Sequence, residues 1–328
     1  MRLGIYFDGF ASINETLEVS RQAEAAGADS LWFAQHMGYR EAMISAAAAA
    51  QVTRTAWLVP TAISPYLWPP LPAAMAAATI DELAPGRVKF ALSVGNLLNL
   101  SESGIEAVKP VRVLREYLES VRALLGGETV HLDGEIFRLR GARMEFRENA
   151  EVPLYIASTG RQILNLAGAM ADGILLSAGL TLESCRRCLE AADAGARTAN
   201  RNPEQVRKAG FINFNVARDG RAARAALLRK LAFLFRSKGH AENIRSSGLD
   251  IDHVAIIAAI SRRDIDGAVR LLPEKAATVF GVAGTPDDCR EQLEAYLSVG
   301  MTEPIIEITG NEEERKLALE VVRQLADR

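Results

Sequence analysis

Three cysteines and four histidines in 328 residues leave little material for a disulfide framework or a metal centre. Cys185 and Cys188 form one CxxC, in "SCRRCLEAADAGARTA", with no second cysteine pair and no histidine nearby. That spacing reads as one amphipathic helix, so no metal site is expected. An excess of one charge is also missing: the formal net charge of −3 provides no basic face for nucleic acid. No run approaches the ~20 apolar residues of a membrane helix. The opening "MRLGIYFDGF" goes straight into a strand-like pattern, without the apolar core and cleavage site of a secretory signal. A reducing, cytoplasmic location is the expectation, with no nucleic-acid or membrane partner.

What the chain does contain is alternation. Strand-like runs at 2–7, 30–34, 56–63, 87–94, 153–158, 172–177, 209–217 and 303–310 are separated by helix-like segments. The first helix pattern carries Ser12 as N-cap, Glu15 at capping-box spacing and Gly27 as stop. Proline starts the helix at 69–84, and Pro85-Gly86 ends it. Strands separated by helices imply a parallel sheet covered on its faces. Eight continuously apolar strands favour closure into a (β/α)8 TIM barrel, one domain over residues 1–328. The rival doubly wound fold would need a GxGxxG turn after its first strand, and "FDGFAS" is not one. Two segments break the alternation. "TVHLDGEIFRLR" (129–140) reads as a β-hairpin around Asp133-Gly134, and 220–276 reads as a helical insertion. Both are candidate lids.

Barrel chemistry sits beyond the C-terminal strand ends. His36 ends the second strand in "SLWFAQHMGYRE". It is either a working group of the mouth or a histidine satisfied by a neighbouring loop carbonyl. Tyr6 and Asp8 reach the same mouth after strand one. Ser64, Pro65, Tyr66 and Trp68 follow strand three, and Ser93, Gly95 and Asn96 follow strand four. Ser158, Thr159, Gly160 and Arg161 follow strand five, and Ser177 follows strand six. This rim shows no convergent carboxylate pair, which argues against a glycosidase. It also lacks a His/Asp/Glu ligand set and a strand-end Lys, which argues against metal-dependent and Schiff-base chemistry. A site that binds something large and flat, and lets it carry the reaction, remains. In "ASTGRQILNLAG" (157–168), Ser-Thr-Gly opens a helix, offering backbone N–H groups and the positive end of the dipole to a phosphate. The same residues also make an ordinary N-cap.

Four segments together resemble the bacterial luciferase-like superfamily, in its branch that uses a 5-deazaflavin, coenzyme F420. "AEAAGADSLWFAQH" is similar to a pattern aGfdsvW…H, and "SPYLWPP…AATIDELAPGRV" to NPYtRHP…tlDELs.GR. "VPLYIASTGRQILNLAGAMADGILL" and "GVAGTPDDCREQLEAYLSVGM" match two further patterns in the same order. The resemblance spans nearly the whole chain. It implies an oxidoreductase that moves a hydride between the deazaflavin and a small organic substrate, similar to methylenetetrahydromethanopterin reductase. It leaves open an FMN-dependent monooxygenase or a homologue without cofactor.

The resemblance places His36 against the ring, with Tyr6 beside it as a second catalytic position. It places the ring on a strand-three bulge of Thr61, Ala62 and Ile63, with a cis peptide at Thr61–Ala62 and Ser64 also in the coenzyme site. Ser93, Gly95, Asn96 and Ser177 complete the coenzyme site, and Ser158, Thr159, Gly160 and Arg161 hold the phosphate. Tyr66, Trp68 and Phe280 would wall the substrate. Relatives pair through helices near the alanine-rich "EAMISAAAAAQ", which implies a homodimer. Reductases of this type carry glutamate at the position of Tyr6, Arg-His where this chain has Trp68-Pro69, and glycines at Ala91 and Ser93.

Overall fold

The apolar runs become strands, and the segments between them become helices that cover the outside. The computed structural model describes residues 3–146 and 149–326. The first half runs β1 Gly4–Phe7, α1 Ile13–Ala25, β2 Ser30–Ala34, α2 Ala42–Ala50, β3 Trp57–Thr61, α3 Pro70–Leu83, β4 Phe90–Leu92, α4 Leu97–Glu102 and α5 Pro110–Leu125. A hairpin of β5 Val130–Asp133 and β6 Arg138–Ala142 follows. Then come β7 Leu154–Ala157, α6 Arg161–Met170, β8 Gly173–Leu176, α7 Leu182–Thr198, β9 Arg207–Ile212 and β10 Phe214–Val216. The insertion holds α8 Gly220–Leu234, α9 Ala241–Ser246, α10 His253–Ser261, α11 Ile265–Arg270 and α12 Ala276–Val279. The chain closes with β11 Val282–Gly284, α13 Pro286–Ser298, β12 Glu303–Glu307 and α14 Glu312–Ala326.

Eight parallel strands form one sheet in the order β3-β2-β1-β12-β9-β8-β7-β4. Bridges Leu58–Val88 and Ile63–Leu92 join its two edges, so the sheet curls into the expected TIM barrel. Capping follows the sequence signals. Ser12 accepts the Glu15 N–H at 3.2 Å, and Gly27 takes φ +94° after α1. The expected seventh strand, 209–217, divides at Asn213. Only β9 belongs to the barrel, while β10 pairs with β11 in a separate ribbon. The Asn213 carbonyl accepts the Val282 N–H at 2.8 Å there, turning the chain out of the barrel wall.

Side chains alternate across each strand, so every second residue points into the barrel. Trp32, Val59, Ala91, Tyr155, Leu175, Ala209 and Ile305 fill the middle. Glycine makes the room: a Cβ on Gly173 would lie 2.4 Å from the Tyr155 ring, and one on Gly4 2.8 Å from Trp32 Nε1. The floor holds charge. Lys89, 1% exposed, reaches Glu303 Oε1 at 3.0 Å, and Tyr155 donates to Glu303 Oε2 at 2.9 Å. Arg207 adds a contact to Glu303 at 3.3 Å, and Lys89 lies 5.0 Å from the Trp57 ring centre. A second core fills the insertion around Leu227, Leu231, Phe235 and Ile256.

Candidate active site

The inward parity that fills the barrel also composes its mouth. One step above the packed layer lie Tyr6 on β1, Thr61 on β3, Phe211 on β9 and Glu307 on β12. His36, Ser93 and Ser177 continue the same parity past the ends of β2, β4 and β8. These residues line a cavity of about 500 Å³ and an annex of about 340 Å³ that share Tyr6, His36, Ala62, Ser93 and Ser177.

His36 meets a neighbouring loop carbonyl and also lines the cavity. Its Nδ1 lies 2.9 Å from the Asp8 carbonyl, which only accepts, so Nδ1 carries the hydrogen. A neutral ring then keeps its lone pair on Nε2, within a side chain that lines the cavity. The Tyr6 hydroxyl is pushed far above its ordinary range by burial, then by Glu307 and Asp8, and stays protonated.

The segment expected to hold a coenzyme is brought together in part. The Thr61–Ala62 peptide is cis, and Ala62 lines both chambers. Thr61 is 2% exposed and faces the annex, and its Oγ1 finds no hydrogen-bond partner among the described residues. Ser64, Gly95 and Asn96 line the main cavity. Gly95 takes φ +85°, closing the loop over Ser64. Ile63 does not join them. Its side chain is buried in the outer core, its N–H binds the Ala91 carbonyl, and its carbonyl takes the Ser93 N–H.

Ser158 and Thr159 wall the annex. Thr159 and Arg161 then line a further groove of about 550 Å³ beside α6 and α7. Gly160 is the N-cap residue of α6, no side chain caps that helix, and Ser158 Oγ accepts the Gly160 N–H at 3.0 Å. The helix start therefore leaves its dipole end open at the annex rim. The buried orphan hydroxyl and the open helix start fit a flat ring with an anionic tether.

The expected substrate wall is replaced. Tyr66 donates its hydroxyl to the Val108 carbonyl at 2.6 Å, and Trp68 packs on the outer core. Phe280 is fully buried against Phe235 in the insertion, with ring centres 4.9 Å apart, and does not reach the mouth. Leu67, Leu100 and Leu234 supply apolar wall instead. Sequence reasoning also missed Glu307, which is 8% exposed and lines the cavity. Its carboxyl is paired with Lys230 of α8, and both Glu307 and Asp8 line a smaller cavity of about 160 Å³ behind the mouth. Burial raises Glu307 above the usual carboxylate range and Asp8 adds to this, while Lys230 opposes both. The signal was present: 307 follows Glu303 and Ile305 at the inward spacing of two.

Comparison with known proteins gives the chain's family and relatives. The chain is 28% identical over 310 residues to 5,10-methylenetetrahydromethanopterin reductase of Archaeoglobus fulgidus, covering 93% of this chain and 92% of that one. It is 28% identical over 334 residues to F420-dependent glucose-6-phosphate dehydrogenase of Nocardia farcinica, covering 96% and 93%. The structure of coenzyme F420-dependent tetrahydromethanopterin reductase from Methanopyrus kandleri superposes with a TM-score of 0.89 at 23% identity, over 98% of this chain and 97% of that one. Residues 1–303 match the family model for luciferase-like monooxygenases, and the chain belongs to that family.

Proposed function

We propose that this protein is an oxidoreductase that binds coenzyme F420 at the barrel mouth and moves a hydride between it and a small organic substrate. The observation that carries the reading is the continuous path from the His36 cavity through the annex to Thr159 and the open start of α6. Methylenetetrahydromethanopterin reductases and F420-dependent dehydrogenases among the relatives support it. A cytoplasmic homodimer is part of the same proposal, supported by Ile44 and Met75, which stand exposed on α2 and α3.

When bound, the coenzyme supplies the hydride acceptor or donor. Thr61 would donate to the ring from the annex wall, and Thr159, Arg161 and the α6 start would hold the phosphate. His36, fixed through Nδ1, offers Nε2 to a substrate hydroxyl and takes its proton, or returns one in the reverse direction. Tyr6 remains a hydrogen-bond donor. The leucines of the wall keep water off the reacting carbon.

Titration with F420 and, separately, FMN tests the reading. Saturable quenching of F420 fluorescence is expected, with FMN bound more weakly, and His36→Asn should leave F420 binding within about threefold. Tight FMN binding without F420 binding would replace the deazaflavin reading with a flavin one. No binding of either would remove it.

A further inference from the structure

β12 carries a carboxylate at each end of the barrel, and each meets one lysine. Glu303 pairs with Lys89 in the floor, and Glu307, on the same inward face at the mouth, pairs with Lys230. The two partners at the mouth are held differently. Glu307 stands in register opposite Tyr6, where β12 pairs with β1, so the sheet fixes its backbone. Its side chain is nearly buried, while that of Lys230 is partly exposed. Lys230 comes from α8, whose Leu227 and Leu231 pack into the insertion core. Lys230 and Leu234, one turn apart, line the main cavity instead.

Among the described residues, Lys230 and Glu307 are the only Lys, Arg, Asp or Glu lining the main cavity, and none lines the annex. Their charges cancel. An anionic substrate here meets an ammonium already engaged, beside a carboxylate that the strand holds in place. A cationic one meets the reverse. Either must part the pair or sit against a like charge, a cost that an uncharged guest does not meet. The rest of the lining suits an apolar body, with Met37, Leu67, Leu100, Phe211 and Leu234 around it. A cavity of about 500 Å³ has room for an aliphatic chain as well as the reacting carbon.

We propose that the reaction cavity selects an uncharged alcohol with an aliphatic body, or the matching carbonyl compound, and that the Lys230–Glu307 ion pair excludes its charged analogues. The proposal rests on the hydride-transfer reading. In the oxidation the carbinol C–H bond breaks with its electron pair, which goes to the coenzyme as hydride. The O–H proton goes to His36 Nε2, and a C=O bond forms. Lys230 and Glu307 take no part in that step; they act on which molecule reaches it.

Three compounds of one chain length provide the test: hexan-2-ol, 5-hydroxyhexanoate and 6-aminohexan-2-ol, alike at the carbinol and different in end charge. Saturation-transfer NMR on the protein without coenzyme reads their binding, and kcat/KM with F420 reads their turnover. Wild type should favour hexan-2-ol over both charged compounds by about tenfold or more. Glu307→Gln frees the ammonium and should raise the hydroxyhexanoate-to-hexanol ratio about tenfold, and Lys230→Gln should do the same for the amine. The double variant should return to the wild-type order. Wild-type preference for either charged compound, equal binding of all three, or binding of none overturns the proposal. So does a single variant that weakens all three alike, which is the mark of a structural pair. Circular dichroism shows whether each variant is folded, and either single variant suffices if the other fails. F420 titration of the same samples separates the two ideas. Quenching with a charged compound preferred removes this inference alone, and the neutral preference without quenching removes the hydride reading and the pair's use in it.

Discussion

Thr61→Val is the sharpest test of the coenzyme site, because it should push stability and binding in opposite directions. Thr61 Oγ1 is buried at the annex wall without a partner among the described residues. A hydroxyl in that state costs about 1–3 kcal/mol. Valine keeps the branched shape and removes the hydroxyl, so the free protein should gain roughly 1–2 kcal/mol. For a chain of this length that raises Tm by roughly 1.5–3 °C. On the proposed reading the coenzyme would satisfy the hydroxyl on binding and recover that cost. The variant forgoes it, so F420 affinity should fall about 5- to 30-fold, equivalent to ~1–2 kcal/mol. Differential scanning calorimetry of the free protein and fluorescence titration of F420 give the two numbers. A variant that is less stable than wild type and binds F420 equally well would show that the hydroxyl is already satisfied, and the argument for a ring at this wall would fail.

Two further predictions concern the scaffold. Removing one partner of the floor pair, by Lys89→Met or Glu303→Leu, should cost about 3–5 kcal/mol, because the other charge stays buried; the double variant should recover much of it in urea unfolding. Glu116, on α5, takes the N–H groups of Glu135, Ile136 and Phe137 at 3.0, 2.9 and 3.1 Å and so clips the hairpin to the barrel. Burial alone would raise its carboxyl, but those N–H groups and Arg112 outweigh it and hold it below the usual range. The contribution is therefore present above the ordinary carboxylate pKa of about 4.3 and lost as pH falls through the lower folded value. The Tm difference between wild type and Glu116→Gln should be constant above about pH 5 and shrink in acid; a difference that ignores pH would refute the clip.

The barrel was legible because buried parallel strands are apolar without interruption, a pattern that the runs at 30–34 and 172–177 display plainly. His36 and the Ser158–Arg161 turn were legible because both sit where an apolar run stops. The division of 209–217 was not, since "FINFNVA" continues the same pattern across Asn213, and the turn depends on Val282, far along the chain. Phe280 looked like a wall residue because nothing local marks an aromatic as belonging to the insertion's own core. Glu307 was hidden differently: its strand was recognised, but the inward spacing from Glu303 and Ile305 was not followed to its end.

The charged floor bears on traffic. With Lys89, Trp57, Tyr155 and Glu303 stoppering one end, nothing threads the barrel along its axis, and guests are confined to the mouth side. Lys230 and Leu234 of α8 stand on that side, so the insertion and not the barrel frames the approach.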